Sequence, residues 1–392
     1  MERIGIYGGT FNPPHIGHIR GAKYATRVLD LKKMLLIPSF ISPHKVLPPN
    51  SPTPTQRAQM LRIAAEEKME VSEIELNRGG TSYTCETVET LAAQYPGNEL
   101  VFIMGTDMFL SFLTWREPQR ILAKASLGVL YRGEKGELEQ ISRQKAELEN
   151  LGATVYLIEN PVTAISSTQL RRMMTFRCAS PFLPEGIADY IRKNELYDTA
   201  CNYRNLSMEE LEKAVVSLLK PSRVAHVLGC RDTAAKMAER WGADPTDAAR
   251  AGMLHDVTKA LDDSLQLTLC KEYGIVLGEF SAKNPKTLHA LTGSLVAERI
   301  FGENEQVVAA IRSHTTGKAN MTTLQRILYV ADYMEPNRDF PGVEELRYLA
   351  YTDLDKALKL GLEMTLALLR ENKQDISPES AEALAYLQQT GV

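Results

Sequence analysis

The stretch Gly8-Gly9-Thr10-Phe11-Asn12-Pro13-Pro14-His15-Ile16-Gly17-His18 decides how the first half of this chain folds. The apolar run before it, Ile4-Gly5-Ile6-Tyr7, has the length of a short buried strand. The residues after it, with Ile19, Ala22 and Leu29 in helical period, read as a helix. The stretch itself, rich in Gly and Pro, is the turn between them. Two histidines therefore sit where a strand hands over to a helix. There an α/β fold turns backbone N–H groups and the positive end of a helix dipole toward a phosphate. Glycines let the backbone approach closely, and imidazoles add charge or hydrogen bonds at a phosphorus under attack.

Outward from that turn, strand and helix signals alternate as far as about residue 197. Strands are expected at Arg3–Tyr7, Lys33–Ile37, Met69–Glu75, Glu99–Met104, Ser126–Tyr131 and Thr154–Ile158, with helices such as Thr55–Glu67 and Tyr83–Gln94 between them. The alternation predicts a parallel, doubly wound sheet. Pro38 to Pro54 holds six prolines, which excludes regular structure and predicts a loop over the site. After Tyr197 the texture changes. Residues 198–206 are polar and aperiodic. From Ser207 onward the pattern is helical, with helices expected at 222–241, 246–260, 286–301, 304–315, 321–334, 353–371 and 378–389. No convincing strand appears there. The division is thus 1–197, a linker at 198–206, and 207–392.

The bulk properties agree with two ordinary globular domains. The chain has 392 residues, 44% hydrophobic and 24% charged, with a net charge of −4. That charge carries no nucleic-acid or membrane footprint. The start has no signal-peptide pattern, and no apolar run approaches a membrane span. Five widely spaced cysteines without a CxxC read as reduced thiols, so a cytoplasmic location is expected.

Seven histidines sort into two groups. His15, His18 and His44 lie in the first half. His226, His255, His289 and His314 lie in the second, each in a predicted helix or at its end. His255 is followed by Asp256. The spacing Val307, Ile311, His314 turns that histidine inward, and Leu324, Leu328, Asp332 does the same for a carboxylate. A buried carboxylate requires a partner, and a His/Asp set without Cys suits a hydrolytic site for Fe, Mn, Co or Zn. Satisfied core histidines with a structural ion pair are the plainer alternative for any one of them.

The pattern T-x-x-P-x-H-x-G-H at Thr10–His18 resembles the signature of nucleotidylyltransferases. Three further stretches, Gly80-Thr81-Ser82-Tyr83-Thr84, Gly105-Thr106-Asp107 with Trp115 downstream, and Ile165-Ser166-Ser167-Thr168-Gln169-Leu170-Arg171, narrow it to bacterial nicotinate-mononucleotide adenylyltransferase over residues 1 to about 197. The resemblance implies a Rossmann-like domain that uses ATP, nicotinate mononucleotide and Mg²⁺. Residues 207–392 resemble the HD-domain phosphohydrolases, and among them the YqeK-type symmetrical dinucleoside tetraphosphatases. The matching segments are Arg223–His226, Ala251–Lys259, Leu288–Ala290, Ala310–Gly317 and Tyr329–Arg338. Val224 and Ala225 depart from the family, which commonly carries an aromatic and an acidic residue there. This resemblance implies an all-α domain with a dinuclear metal centre, iron first and Mn, Co or Zn as alternatives. It also implies hydrolysis of diadenosine tetraphosphate to two ADP.

The residue roles follow. His15 and His18 would hold the ATP phosphates, with Gly8, Gly9, Thr10 and Phe11 shaping the ATP loop and Lys45 closing on the triphosphate. Ser167, Thr168 and Arg171 form a second anion site at a helix start. Asp107, at a strand's C-terminal end, suits the ATP ribose. Thr84 and Trp115 match the nicotinate ring positions, and Arg132 suits the mononucleotide phosphate. In the second half the resemblance implies one metal on His226, His255, Asp256 and Asp332, and another on His289 and His314, with Asp256 bridging. Lys259 and Arg338 are candidates for substrate phosphate. Two rivals stay open: an HD domain that senses nucleotides, or one acting on another nucleotide. Pantetheine phosphate and nicotinamide mononucleotide are the rival acceptors. A homo-oligomer also stays open.

Overall fold

The computed structural model describes residues 2–160 and 165–392. The chain forms two compact units, Met1–Ala200 and Cys201–Val392.

The first unit runs β1 (Arg3–Gly9), α1 (Ile16–Val28), β2 (Leu31–Pro38), α2 (Pro54–Ala64), β3 (Met69–Val71), α3 (Ile74–Arg78), α4 (Thr84–Gln94), β4 (Glu99–Gly105), α5 (Thr106–Leu110), α6 (Pro118–Leu122), β5 (Ala125–Tyr131), α7 (Glu137–Asn150), β6 (Val155–Glu159), α8 (Ser167–Thr175) and α9 (Ile187–Lys193). The six strands form one sheet in the order β3-β2-β1-β4-β5-β6, with every pairing parallel. Such strands are buried on both faces, which explains their continuous apolar runs. Ile4, Ile6, Phe102, Met104, Leu127 and Val129 point to one face, where they pack with Val88 and Leu91 of α4 and with Ile141 and Leu148 of α7. The strand order reverses between β1 and β4, so a crevice opens beyond their C-terminal ends.

One strand is shorter than expected. β3 ends at Val71, and Ile74–Arg78 is a helical turn that turns Glu75 inward to accept from Thr87 Oγ1 at 2.8 Å. A carboxylate bonded in this way is better presented by a turn than by an edge strand.

The second unit is helical throughout its described length: α10 (Met208–Leu218), α11 (Val224–Trp241), α12 (Pro245–Leu254), α13 (Asp263–Glu272), α14 (Glu279–Lys283), α15 (Leu288–Val296), α16 (Glu305–Ser313), α17 (Thr323–Met334), α18 (Val343–Thr352), α19 (Leu354–Glu371) and α20 (Pro378–Gln389). The sequence pattern does not predict α13, α14 or α18. α12 also ends six residues earlier than its pattern suggests, at Leu254, and 255–260 are tight turns. Successive helical residues point about 100° apart. Leaving the helix lets the adjacent His255 and Asp256 both face inward, at 0% and 1% exposure.

α11 and α12 approach closely at Gly252. A methyl group there would lie 2.7 Å from the Arg231 Cα and 2.9 Å from its backbone N. Gly252→Ala must therefore push the two helices apart. The expected result is a loss of about 1–3 kcal/mol, typical of overpacking. Urea unfolding of the full chain, followed at the transition of the helical unit, measures it.

Candidate functional site

In the first unit the crevice is a cleft of about 800 Å³ at the C-terminal ends of β1 and β4. Gly8, Gly9, Thr10, His15, His18, Lys45, Thr84, Asp107, Trp115, Arg132, Ser167, Thr168 and Arg171 all line it. Phe11 does not. It is buried, packed edge-on to Tyr7 and His18, with a backbone φ of 47° in the left-handed region. Its ring packs against His18 with centroids 5.0 Å apart.

Two helix N-termini meet at this cleft. His15 is the N-cap of α1, and Ser166 caps α8 by accepting from Gln169 N. α8 is fastened to the opening loop: Ser167 Oγ donates to Pro13 O at 3.2 Å, and Arg171 Nη1 to Asn12 O at 2.8 Å. Both N-termini thus turn backbone N–H groups toward one cleft. The His15 and His18 rings stack at 3.6 Å. His18 Nδ1 accepts from His15 N, which leaves Nε2 as its protonated nitrogen. Burial, then Lys45, push the His15 imidazole down to about 3, and burial, His15 and Lys45 hold His18 well below its ordinary value. Both shifts favour the neutral imidazoles. His15 Nδ1, Asn12 Oδ1 and Trp115 Nε1 are buried with no partner among the described residues.

One residue the sequence reading passed over organises both lips. Arg57, on α2, is 1% exposed. Its guanidinium donates to Thr10 O at 2.5 Å on the loop after β1, and to Ser39 O at 2.6 Å on the loop after β2. In sequence it is an unremarked arginine on an amphipathic helix.

In the second unit, six predicted ligands converge. His226 Nε2 lies 3.2 Å from His255 Nε2 and 3.2 Å from Asp332 Oδ1. Asp256 Oδ1 lies 3.5 Å from His289 Nε2 and 3.9 Å from His314 Nε2. The groups His226–His255–Asp332 and His255–Asp256–His314 are each compact enough to hold a cation, and His289 joins through Asp256. Each imidazole turns Nδ1 to an acceptor: Gly252 O for His255, Lys286 O for His289, Ile311 O for His314, and the Glu335 carboxylate for His226. The four Nε2 atoms therefore face the middle of the cluster and its two carboxylates, where the Thr315 hydroxyl also lies 3.1 Å from His289 Nε2 and 3.2 Å from His314 Nε2. Burial pushes His255 down to about 3 and His314 to about 4, and holds His289 well below its ordinary value. Burial raises the Asp332 carboxyl, yet the Arg338 guanidinium that donates to it holds it well below the usual range. A cluster of N and O acceptors without a thiolate fits divalent cations of intermediate hardness.

Three cations border the cluster. Lys259 Nζ donates to His289 Nε2 at 2.9 Å, rather than pairing with Asp256 along a helix face. Burial, then Arg223, push its ammonium down to about 8. Arg338 Nη2 donates to Asp332 Oδ1 at 2.8 Å, and Arg223 reaches Asp256 Oδ2. Arg223 lies within a recognised segment, but nothing in its spacing indicated a role.

Comparison with known proteins follows the same division. Residues 6–173 match the cytidylyltransferase-like family, and residues 223–337 match the HD domain. Over 198 residues the chain is 36% identical to the probable nicotinate-nucleotide adenylyltransferase of Dictyoglomus thermophilum, spanning 50% of this chain and 99% of that protein. Over another 177 residues it is 36% identical to the symmetrical bis(5′-nucleosyl)-tetraphosphatase of Bacillus subtilis, spanning 45% of this chain and 94% of that protein. A solved HD-superfamily hydrolase from Clostridium acetobutylicum is 35% identical, covers 47% of this chain and 98% of its own, and superposes with a TM-score of 0.46. No helix among the described residues is long and apolar enough to cross a membrane. The chain belongs to two enzyme families in series, the nicotinate-nucleotide adenylyltransferases over its first half and the HD-domain symmetrical bis(5′-nucleosyl)-tetraphosphatases over its second.

Proposed function

We propose that one chain carries two activities. Residues 1–197 transfer AMP from ATP to nicotinate mononucleotide, and residues 207–392 hydrolyse diadenosine tetraphosphate to two ADP, with 198–206 as a linker. The observation that supports this reading best is that each half gathers its whole set of polar groups within itself.

In the transferase an oxygen of the acceptor phosphate attacks the α-phosphorus of ATP. The new P–O bond forms as the bond to the β-phosphate breaks, and pyrophosphate leaves. The chain contributes position and electrostatics rather than a nucleophile. The N-termini of α1 and α8 and the neutral imidazoles donate hydrogen bonds, while Lys45 and Arg171 carry the positive charge. Magnesium, when bound, neutralises the triphosphate. Asp107 receives the ATP ribose, Thr84 and Trp115 the nicotinate ring, and Arg132 the mononucleotide phosphate.

In the hydrolase, water adds across the central P–O–P bridge and each half leaves as ADP. His226, His255, Asp256 and Asp332 would hold one metal, and His289, His314 and the shared Asp256 another; such a pair supplies water activation and charge neutralisation, with iron our assignment. Arg223, Lys259 and Arg338 bind and orient the polyphosphate.

Anion-exchange analysis of products tests both activities. The full chain with ATP, Mg²⁺ and nicotinate mononucleotide should yield the dinucleotide and pyrophosphate. With diadenosine tetraphosphate and Fe²⁺ or Mn²⁺ it should yield ADP alone. Asp256→Asn should abolish the second reaction and spare the first. An unchanged tetraphosphate across metals would leave the HD unit as a sensor or a hydrolase of another nucleotide.

Arg57→Met should raise the KM for ATP about tenfold or more, since charge-assisted bonds worth roughly 1.5–3 kcal/mol hold the lips that receive it. The KM for nicotinate mononucleotide should change less than about twofold on the same reasoning. Equal effects on both substrates would contradict this role.

The neutral state of His15 is directly visible. Its ring resonances in the free protein should stay flat between about pH 5.5 and 7.5, where an ordinary histidine titrates near 6.5. A midpoint inside that window would show a charged, not a neutral, phosphate contact.

A further inference from the structure

The four histidines of the second unit are not held alike. Three of them, His255, His289 and His314, donate Nδ1–H to the backbone carbonyl three residues earlier, at 2.7, 2.8 and 2.6 Å. A carbonyl fixes the tautomer but adds no charge. His226 differs. Its Nδ1 donates at 3.1 Å to Glu335 Oε1, a side chain 109 residues away and 1% exposed.

Glu335 is itself held on every side. Its second oxygen accepts from the Asn337 backbone N and from Asn337 Nδ2, both at 2.8 Å, and Asn337 Nδ2 is tied in turn to Ala225 O at 3.1 Å. So the segment after α17 folds back onto the first turn of α11. Space for it comes from Gly229, on the same helix as His226. A methyl group at Gly229 would overlap Glu335 Oε2 and lie 3.0 Å from Asn337 Nδ2. Gly229 sits inside a helix with ordinary helical φ, where glycine is unfavourable by up to about 1 kcal/mol relative to alanine. Its presence there is explained by the carboxylate it admits.

We infer that Glu335 is a positioning residue for metal binding, and that Gly229 is the gap that admits it. The carboxylate behind His226 fixes its Nδ1–H tautomer and strengthens Nε2 as a donor, as a carboxylate behind a ligating imidazole does in general. It makes His226 the most strongly donating of the four imidazoles, on the side of the cluster shared with His255 and Asp332. The inference rests on the reading of this cluster as a metal centre. It adds two residues that touch neither metal nor substrate.

The test measures metal, not turnover. The full chain is stripped with chelator and titrated with Co²⁺, and affinity is read by competition with the chelator and by the visible absorption of bound Co²⁺. Glu335→Gln keeps the shape and a hydrogen bond but removes the charge, and should weaken Co²⁺ about 10- to 100-fold. Gly229→Ala, which alters no group near the ligands, should weaken it in the same direction by displacing Glu335. The double variant should be no worse than Glu335→Gln alone, because both changes remove one interaction. Thermal melting of Glu335→Gln separates this from a merely structural role: the stripped Glu335→Gln chain should melt with the stripped parent, and only the gain on adding Co²⁺ should shrink. Parental Co²⁺ affinity in Glu335→Gln would overturn the inference and leave the metal centre standing. Failure of the parent chain itself to bind Co²⁺ would overturn both.

Discussion

A buried imidazole must account for two nitrogens, and most of what both sites of this chain can do follows from that. Burial disfavours the cationic form of His15, His18, His255, His289 and His314. Each ring is then one donor and one acceptor, and whichever nitrogen the fold engages decides what the other offers. In the first unit the backbone N of His15 takes Nδ1 of His18, so Nε2 faces the cleft as a donor. In the second unit the engaged nitrogen is Nδ1 throughout and it donates, so Nε2 faces inward as an acceptor. The same side chain is thereby prepared for an anion in one place and for a cation in the other.

The surroundings follow the same logic. A cleft suited to phosphates needs fixed positive potential. The first unit supplies it with two helix N-termini and with arginines whose guanidinium groups grip backbone carbonyls. Arg171 and Arg57 each spend donors on the loop Thr10–Pro13, which sets the loop rigidly where the dipoles point. The helical unit has the opposite problem. Its acceptors repel one another, and their assembly is tolerable only because Lys259, Arg223 and Arg338 ring them and because the cluster suits divalent cations. The bordering cations that ease this repulsion are also what a polyphosphate requires.

Much of this was legible in the sequence where the information is local. The glycine-rich turn at Gly8–His18 announces a strand, a turn and a helix in eleven residues, and parallel strands buried on both faces leave unmistakable apolar runs. The inward histidine at the end of α16 was visible in the spacing from Val307 and Ile311. Where tertiary needs override periodicity, the reading slipped. Helix α12 has a pattern that continues to residue 260, but the chain leaves the helix at Leu254 so that two adjacent polar residues can both be buried. The end of β3 yields in the same way to the burial of Glu75. The pattern also does not show α13, α14 and α18, although Asp262 caps the first and Gly342 precedes the last, because their charged, half-exposed faces resemble loop composition.

The residues that act at one remove were the least legible, for a physical reason. A metal ligand or a phosphate-binding turn is recognisable because its chemistry is rare at its spacing. Arg57 and Glu335 are common residues on ordinary helices and turns, and their meaning lies wholly in what they meet: Thr10 across 47 positions for the first, His226 across 109 for the second. Gly229 shows the one trace that such a contact can leave. A glycine within a helix costs stability, so its position there requires a neighbour close enough to need the room. That neighbour is Glu335, and the two residues carry a single piece of information divided between distant segments. Either alone reads as unremarkable, and only the fold shows that each is the reason for the other.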